Sequence, residues 1–163
     1  MKIYLIAAIL LISLTGCKSP KKKFDFTFYK WNIHESYYLK FNSSDTLYLI
    51  NTYSLEEETS FTILNSEEKE RIQNALETIP FPKEKEFSNS LIEDGETNAF
   101  YLKDGEKKQQ LLIHGHKGPN QFWLFGKTLK AIKNQHSFIK INKKFDLNDF
   151  EKIVAPPVLF IEK

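Results

Sequence analysis

The chain has 163 residues, with 23 basic against 21 acidic side chains and a formal net charge of +2. So even a balance argues against nucleic acid as a partner, because such proteins usually carry a basic face. Arg71 is the only arginine, so bidentate capture of phosphate or carboxylate by a guanidinium fork is mostly unavailable.

In chain order, the first segment is Met1 to Cys17, MKIYLIAAILLISLTGC. Lys2 makes its start positive, Ile3 to Ile12 is an almost unbroken apolar run, and Leu14-Thr15-Gly16-Cys17 leads into the only cysteine. A helix needs about 20 apolar residues to cross the hydrocarbon layer, so this run is too short for a retained span. An ordinary secretory signal has no use for a lone thiol beside its cleavage point. The stretch resembles a bacterial lipoprotein signal peptide with its lipobox. That resemblance implies cleavage after Gly16, a diacylglyceryl group on the Cys17 thiol, and a lipid bilayer as partner through the acylated cysteine. Two or three acyl chains, at about 0.8 kcal/mol per buried CH₂, hold a domain on a membrane without protein contact. With Cys17 acylated, no thiol is left for a disulfide, a nucleophile or a metal.

Removing 16 of the 163 residues leaves 147, enough for one domain with its own core. The expected organisation is a signal peptide over 1–16, the lipidated cysteine and a basic linker over 17–23, and a single domain over 24–163. Residues 18–23 (KSPKKK) are charged and broken by Pro20, and read as an extended, solvated spacer. Some bacterial lipoproteins bound for the cell surface are acidic just after the cysteine. The basic linker here implies a domain of the cell envelope that faces the periplasm.

From Phe24 the pattern has period two: Phe24, Phe26 and Phe28 alternate with Asp25, Thr27 and Tyr29, as in a half-buried strand. Residues 35–41 and 46–53 are two more aromatic and β-branched runs, joined by the turn residues Asn42-Ser43-Ser44-Asp45 into a hairpin. A strand over Ser60 to Leu64 follows. Helix period then begins, with Asn65 or Ser66 as cap, Ile72, Leu76 and Ile79 on one face, and Pro80-Phe81-Pro82 as stop.

Residues 83–96 lack a clean period and read as a loop. Thr97 to Lys103 and Lys107 to His114, around Asp104-Gly105, make the clearest hairpin. A second helix spans roughly Asn120 to Asn134, with Phe122, Phe125, Leu129 and Ile132 as its stripe. Ser137 to Ile141 suggests a short strand, Asp146 caps a short helix through Ile153, and Val158 to Ile161 is a last apolar segment. Strands followed by a helix, twice over, predict an α+β fold: an antiparallel sheet with two main helices packed on one face. The pattern is similar to small lipoproteins of unknown function in Bacteroidota, a likeness that carries no motif and no activity.

His114-Gly115-His116, at the exit of a strand, is the one pair with metal-ligand character. In extended chain i and i+2 point the same way, so both imidazoles would meet one ion, with His34, Glu35, His136 or a loop carboxylate as third ligand. The alternative is two ordinary surface histidines flanking a turn, which is the reading preferred. The acidic residues fall in runs typical of solvated faces, and there is no G-x-S-x-G elbow and no phosphate loop. Nothing in the sequence names a cofactor or a reaction. Tyr37, Tyr38, Tyr48 and Tyr53 lie on adjacent strands and alternate between faces, so half belong to the core and half to an outer, aromatic binding surface. The expectation is therefore a non-catalytic envelope lipoprotein that binds a protein or glycan. Its alternative is a metal-binding protein or metal-dependent hydrolase using His114 and His116.

Overall fold

The computed structural model describes residues 23–53, 58–89, 91–92, 94–151 and 154. The lipobox, the linker up to residue 22 and the apolar segment Val158 to Ile161 lie outside the described residues. The strands are β1 (Phe24–Asn32), β2 (Glu35–Asn42), β3 (Thr46–Asn51), β4 (Glu58–Ile63), β5 (Glu86–Phe87), β6 (Thr97–Asp104), β7 (Lys107–His114) and β8 (Ile139–Lys140). The helices are α1 (Ser66–Thr78), α2 (Asn120–Gln135) and the short α3 (Asn148–Glu151). One sheet holds all eight strands in the order β5-β7-β6-β1-β2-β3-β4-β8. Every pairing is antiparallel except β5 with β7. The fold is α+β.

Local chemistry fixes the element ends. Asn65 caps α1 through a reciprocal box: its side chain accepts from the Glu68 backbone N–H at 2.9 Å, and the Glu68 carboxylate accepts from the Asn65 N–H at 3.0 Å. The β6–β7 hairpin pairs Asp104 with Lys107, so its loop is Gly105-Glu106, one residue later than the sequence suggests. Gly105, at φ +60°, supplies the positive φ at the first loop position that a type II′ turn requires. Within residues 83–96, read as loop, Glu86 and Phe87 form β5 against Leu112 and Ile113.

The helix-facing side of the sheet carries Phe26 and Phe28 from β1, Leu39 and Phe41 from β2, Phe100 and Leu102 from β6, and Leu111 and Ile113 from β7. They pack against Ile72 of α1 and Phe122, Phe125, Leu129 and Ile132 of α2. Phe100 lies 5.0 Å from Phe122 and 5.9 Å from Phe125, centroid to centroid. Both main helices thus cover one face, as expected.

The opposite face is not open. Leu147, Phe150 and Val154 form a second core with Tyr29, Tyr38, Ile50, Ala99 and Tyr101, with Phe145 packed at its margin. Residues 145–151 and 154 form a strap over the back of the sheet, and α3 lies within it. β1 is therefore buried on both faces, Thr27 and Tyr29 included, and is not the half-buried strand that its alternation suggests.

Candidate functional site

Two features carry chemistry, one at each end of β1. At the end where β1 finishes, a polar row crosses three strands beneath α2. Lys30 pairs in register with Tyr37 of β2 on one side and with Asn98 of β6 on the other. All three point toward α2, in phase with the phenylalanines. Lys30 is 2% exposed and Asn98 not at all.

Lys30 Nζ lies 2.5 Å from Glu96 Oε2, and Asn98 Nδ2 donates to Glu96 Oε1 at 2.9 Å. Next to them, Glu35 accepts from Lys130 at 2.5 Å and lies 3.7 Å from Lys133, whose ammonium sits 4.4 Å from the Tyr37 ring centre. Gly126 lets α2 come this close: a Cβ there would stand 3.2 Å from Asn98 Nδ2.

Electrostatics follow from that packing. Burial pushes the Lys30 ammonium below its ordinary pKa, and Glu96 offsets only part of the effect. Burial alone would raise Glu35 and Glu96, but hydrogen bonds and neighbouring ammonium charges hold both below the ordinary carboxylate range. Burial, then the charges of Glu35 and Glu96, pushes the Tyr37 phenol upward. Tyr37 OH and Asn98 Oδ1 have no hydrogen-bond partner among the described residues. Neither of the larger cavities, nor the smaller ones described, is lined by any member of this row. The row is therefore a buried polar brace between sheet and helix.

At the opposite end, where β1 begins, lies an open groove of about 560 Å³. Lys23, Lys40 and Lys143 line it together with Phe24, Tyr48 and Phe145, and Asp25 is its only acid among the described residues. Lys40 follows from strand alternation: it points to the back of the sheet beside Thr27, donating to that hydroxyl at 2.9 Å and reaching Asp25 at 3.3 Å. Lys143 comes from the segment between β8 and the strap. Its ammonium lies 4.3 Å from the Tyr48 ring centre and 4.7 Å from that of Phe145, and donates to Tyr48 OH at 3.2 Å. Tyr48 and Phe145 meet edge to face at 4.9 Å. A cavity of about 200 Å³ adjoins the groove, sharing Asp25 and Lys40 and reaching Lys103 and Asp146. A concave, cationic and aromatic surface of this kind suits an anionic, partly apolar group.

The four tyrosines singled out from the sequence do not form one exposed surface. Tyr37 is 3% exposed within the helix-side core, and Tyr38 is 7% exposed beneath Phe150, whose ring lies 5.5 Å away. Alternation places these two on opposite faces correctly, but the strap covers the face taken to be open. Tyr48 contributes to the groove instead. Tyr53 is 58% exposed, its hydroxyl donating to the Ile33 carbonyl at 2.8 Å.

His114 and His116 do not converge either. The segment between them is not extended: Gly115 and His116 have φ of +60° and +62°, and the Lys117 N–H closes a turn onto the His114 carbonyl at 3.2 Å. His114 has both ring nitrogens engaged, with Thr97 Oγ1 at 2.8 Å and the Ile92 carbonyl at 2.6 Å. The His116 ring packs against Trp123 at 5.5 Å. Of the suggested third ligands, Glu35 is committed to Lys130, and His34 sits in the exposed β1–β2 turn.

His136 bridges Thr62 Oγ1 at 3.2 Å and Glu68 at 2.9 Å. That hydroxyl–imidazole–carboxylate line has the order of a catalytic triad. However, Glu68 is already held by the α1 cap and Thr62 is buried, so the line ties α1, α2 and β4 together. Among the described residues, no three His, Cys, Asp or Glu side chains are grouped to hold a metal ion, and no helix is long and apolar enough to cross a membrane.

The groove was missed from sequence because its residues are far apart in the chain. Compared with protein-family models and with curated proteins, the chain matches none.

Proposed function

We propose that this chain is a lipoprotein of the bacterial cell envelope, anchored through acylated Cys17, whose periplasm-facing domain is a non-catalytic binding or accessory module. The observation that carries the anchor is the run Ile3 to Ile12 closed by Leu14-Thr15-Gly16-Cys17, with the sheet beginning at Phe24. An apolar run of that length suits a signal peptide, and the thiol is the atom that acylation needs. For a binding role, the support is that His114 and His136 have both ring nitrogens committed to protein groups. The open groove where β1 begins is instead lined by lysines and aromatic rings.

The test is incorporation of an alkyne-bearing fatty acid by cells making the full chain. Labelling that disappears in Cys17→Ala, with the protein moving from the membrane to the soluble fraction, supports the reading. Equal labelling of both chains, or none, overturns it. A protein or glycan partner is then sought by cross-linking in the native envelope.

A further inference from the structure

From the groove where β1 begins, we infer that the domain docks on the anionic phospholipid headgroups of the bilayer that holds Cys17. This inference rests on the lipid-anchor reading above and adds to it an orientation and a second contact.

Reach comes first. Lys23 is the sixth residue after Cys17, and six residue steps span at most about 22 Å when fully extended. β1 is 9 residues long, about 30 Å at 3.3 Å per residue. The tether is therefore shorter than the strand it leads into. The start of β1 always stays near the acyl chains, whereas the turn after Asn32 is a strand length further along.

Charge comes second. Lys23, Lys40 and Lys143 face the groove against the single carboxylate of Asp25, an excess of two positive charges. The other acids near this end lie outside the groove: Asp45 is paired with Lys69, Asp104 and Glu106 belong to the β6–β7 hairpin, Asp146 shares the adjoining cavity with Lys103, and Glu77 of α1 lies on the helix side of Phe24. Anionic headgroups attract basic residues held within a Debye length of the surface.

Aromatic chemistry is third. Tyr48 and Phe145 line the groove beside these ammonium groups. Amphipathic rings beside lysines suit the boundary between headgroups and acyl chains. Lys143 shows that the two parts work together, since its ammonium lies against both rings and keeps donors for a phosphate oxygen. A free phosphate would meet the same ammonium groups but would gain nothing from the rings.

The experiment uses the full chain as purified from membranes, reconstituted in vesicles of phosphatidylcholine alone or with one third phosphatidylglycerol. A fluorophore on Ser43→Cys, at the rim of the groove, is read against quenching by headgroup-labelled lipid. A second chain carries it on Tyr53→Cys. Docking predicts strong quenching at position 43 only in the anionic vesicles, and weak quenching at position 53 in both. Lys40→Gln and Lys143→Gln should each weaken the docked state roughly fivefold.

Equal quenching at position 43 in the two vesicle types overturns the inference, as does stronger quenching at position 53. Release by inorganic phosphate at constant ionic strength also overturns it, assigning the groove to a soluble anion. Intact mass on the same preparation reads the anchor separately. An acylated chain without charge-dependent quenching sinks docking alone. An unacylated chain sinks the anchor reading, and flotation of that chain with the anionic vesicles then scores the groove by itself.

Discussion

Lys30 Nζ and Glu96 Oε2 stand 2.5 Å apart, the lysine 2% exposed and the glutamate 32%. The pair is asymmetric. Glu96 keeps water and an Asn98 hydrogen bond, whereas Lys30 has given up its hydration for this carboxylate. Most of the cost of separating them therefore falls on the lysine.

The two halves of that pair should respond unequally to substitution. Glu96→Gln leaves a buried ammonium without its counter-charge and should cost about 3 kcal/mol. Lys30→Met keeps the volume, leaves only a part-solvated carboxylate, and should cost about 1 kcal/mol or less. Urea unfolding of both variants measures the difference, and equal losses would contradict the asymmetry.

Acid should destabilise the domain through the same row. Glu35 and Glu96 are held below their ordinary value of 4.5 in the folded chain. A carboxylate with a depressed folded pKa contributes stability that is full above its unfolded pKa and is lost as pH falls through the folded one. Thermal midpoints should thus be flat down to about pH 5 and fall below 4.5. Glu96→Gln should shallow that fall, and an unchanged acid profile would exclude the row as its source. Tyr37 acts at the other limit. With its phenol raised above the ordinary value of 10.0, its contribution is present below pH 10 and lost above it.

Phe150 holds the strap to the back of the sheet. Its ring lies 6.3 Å from Tyr29, 5.5 Å from Tyr38 and 6.3 Å from Tyr101. Phe150→Ala should cost about 3–5 kcal/mol and raise binding of an apolar dye at neutral pH as the tyrosine face opens. A stable variant with no dye signal would show that the strap does not seal this face.

Gly118 is fixed by two independent constraints, a φ of +91° and a contact of 2.7 Å between any added Cβ and Ile113 Cγ2. Gly118→Ala should lose at least about 2 kcal/mol. Gly105→Ala, strained at φ +60° but with open space around its Cβ position, should lose less. Chemical denaturation of the two variants side by side checks the ranking.

Much of the fold could be read from local pattern, because the controlling signals are local. Alternation over Phe24 to Tyr29 gives β1, Asn65 and Glu68 give the α1 cap, and Phe122, Phe125, Leu129 and Ile132 give the buried stripe of α2. The strap was read as a short helix and not as a lid, although Leu147, Phe150 and Val154 are spaced as one helical face. Which sheet face it covers is a long-range choice that no local spacing encodes. The polar row did leave a trace: Lys30 falls in phase with Phe24, Phe26 and Phe28, and Asn98 in phase with Phe100 and Leu102. A charge in phase with a core stripe signals a buried partner, but not which one. The groove joins Lys23, Lys40 and Lys143, and only the assembled sheet brings them together.

The position of β1 sets the order in which the domain is enclosed. It is the first of the described strands to be made, yet it lies between β2 and β6, and β6 begins only at Thr97. While residues 33–96 are being added, the stretch FDFTFYKWN keeps an unpaired edge and an uncovered aromatic face. Its cover on the other side arrives later still, with Leu147 and Phe150. Synthesis order and burial order are thus opposed, and a holdase serving the nascent chain would find its target in these nine residues.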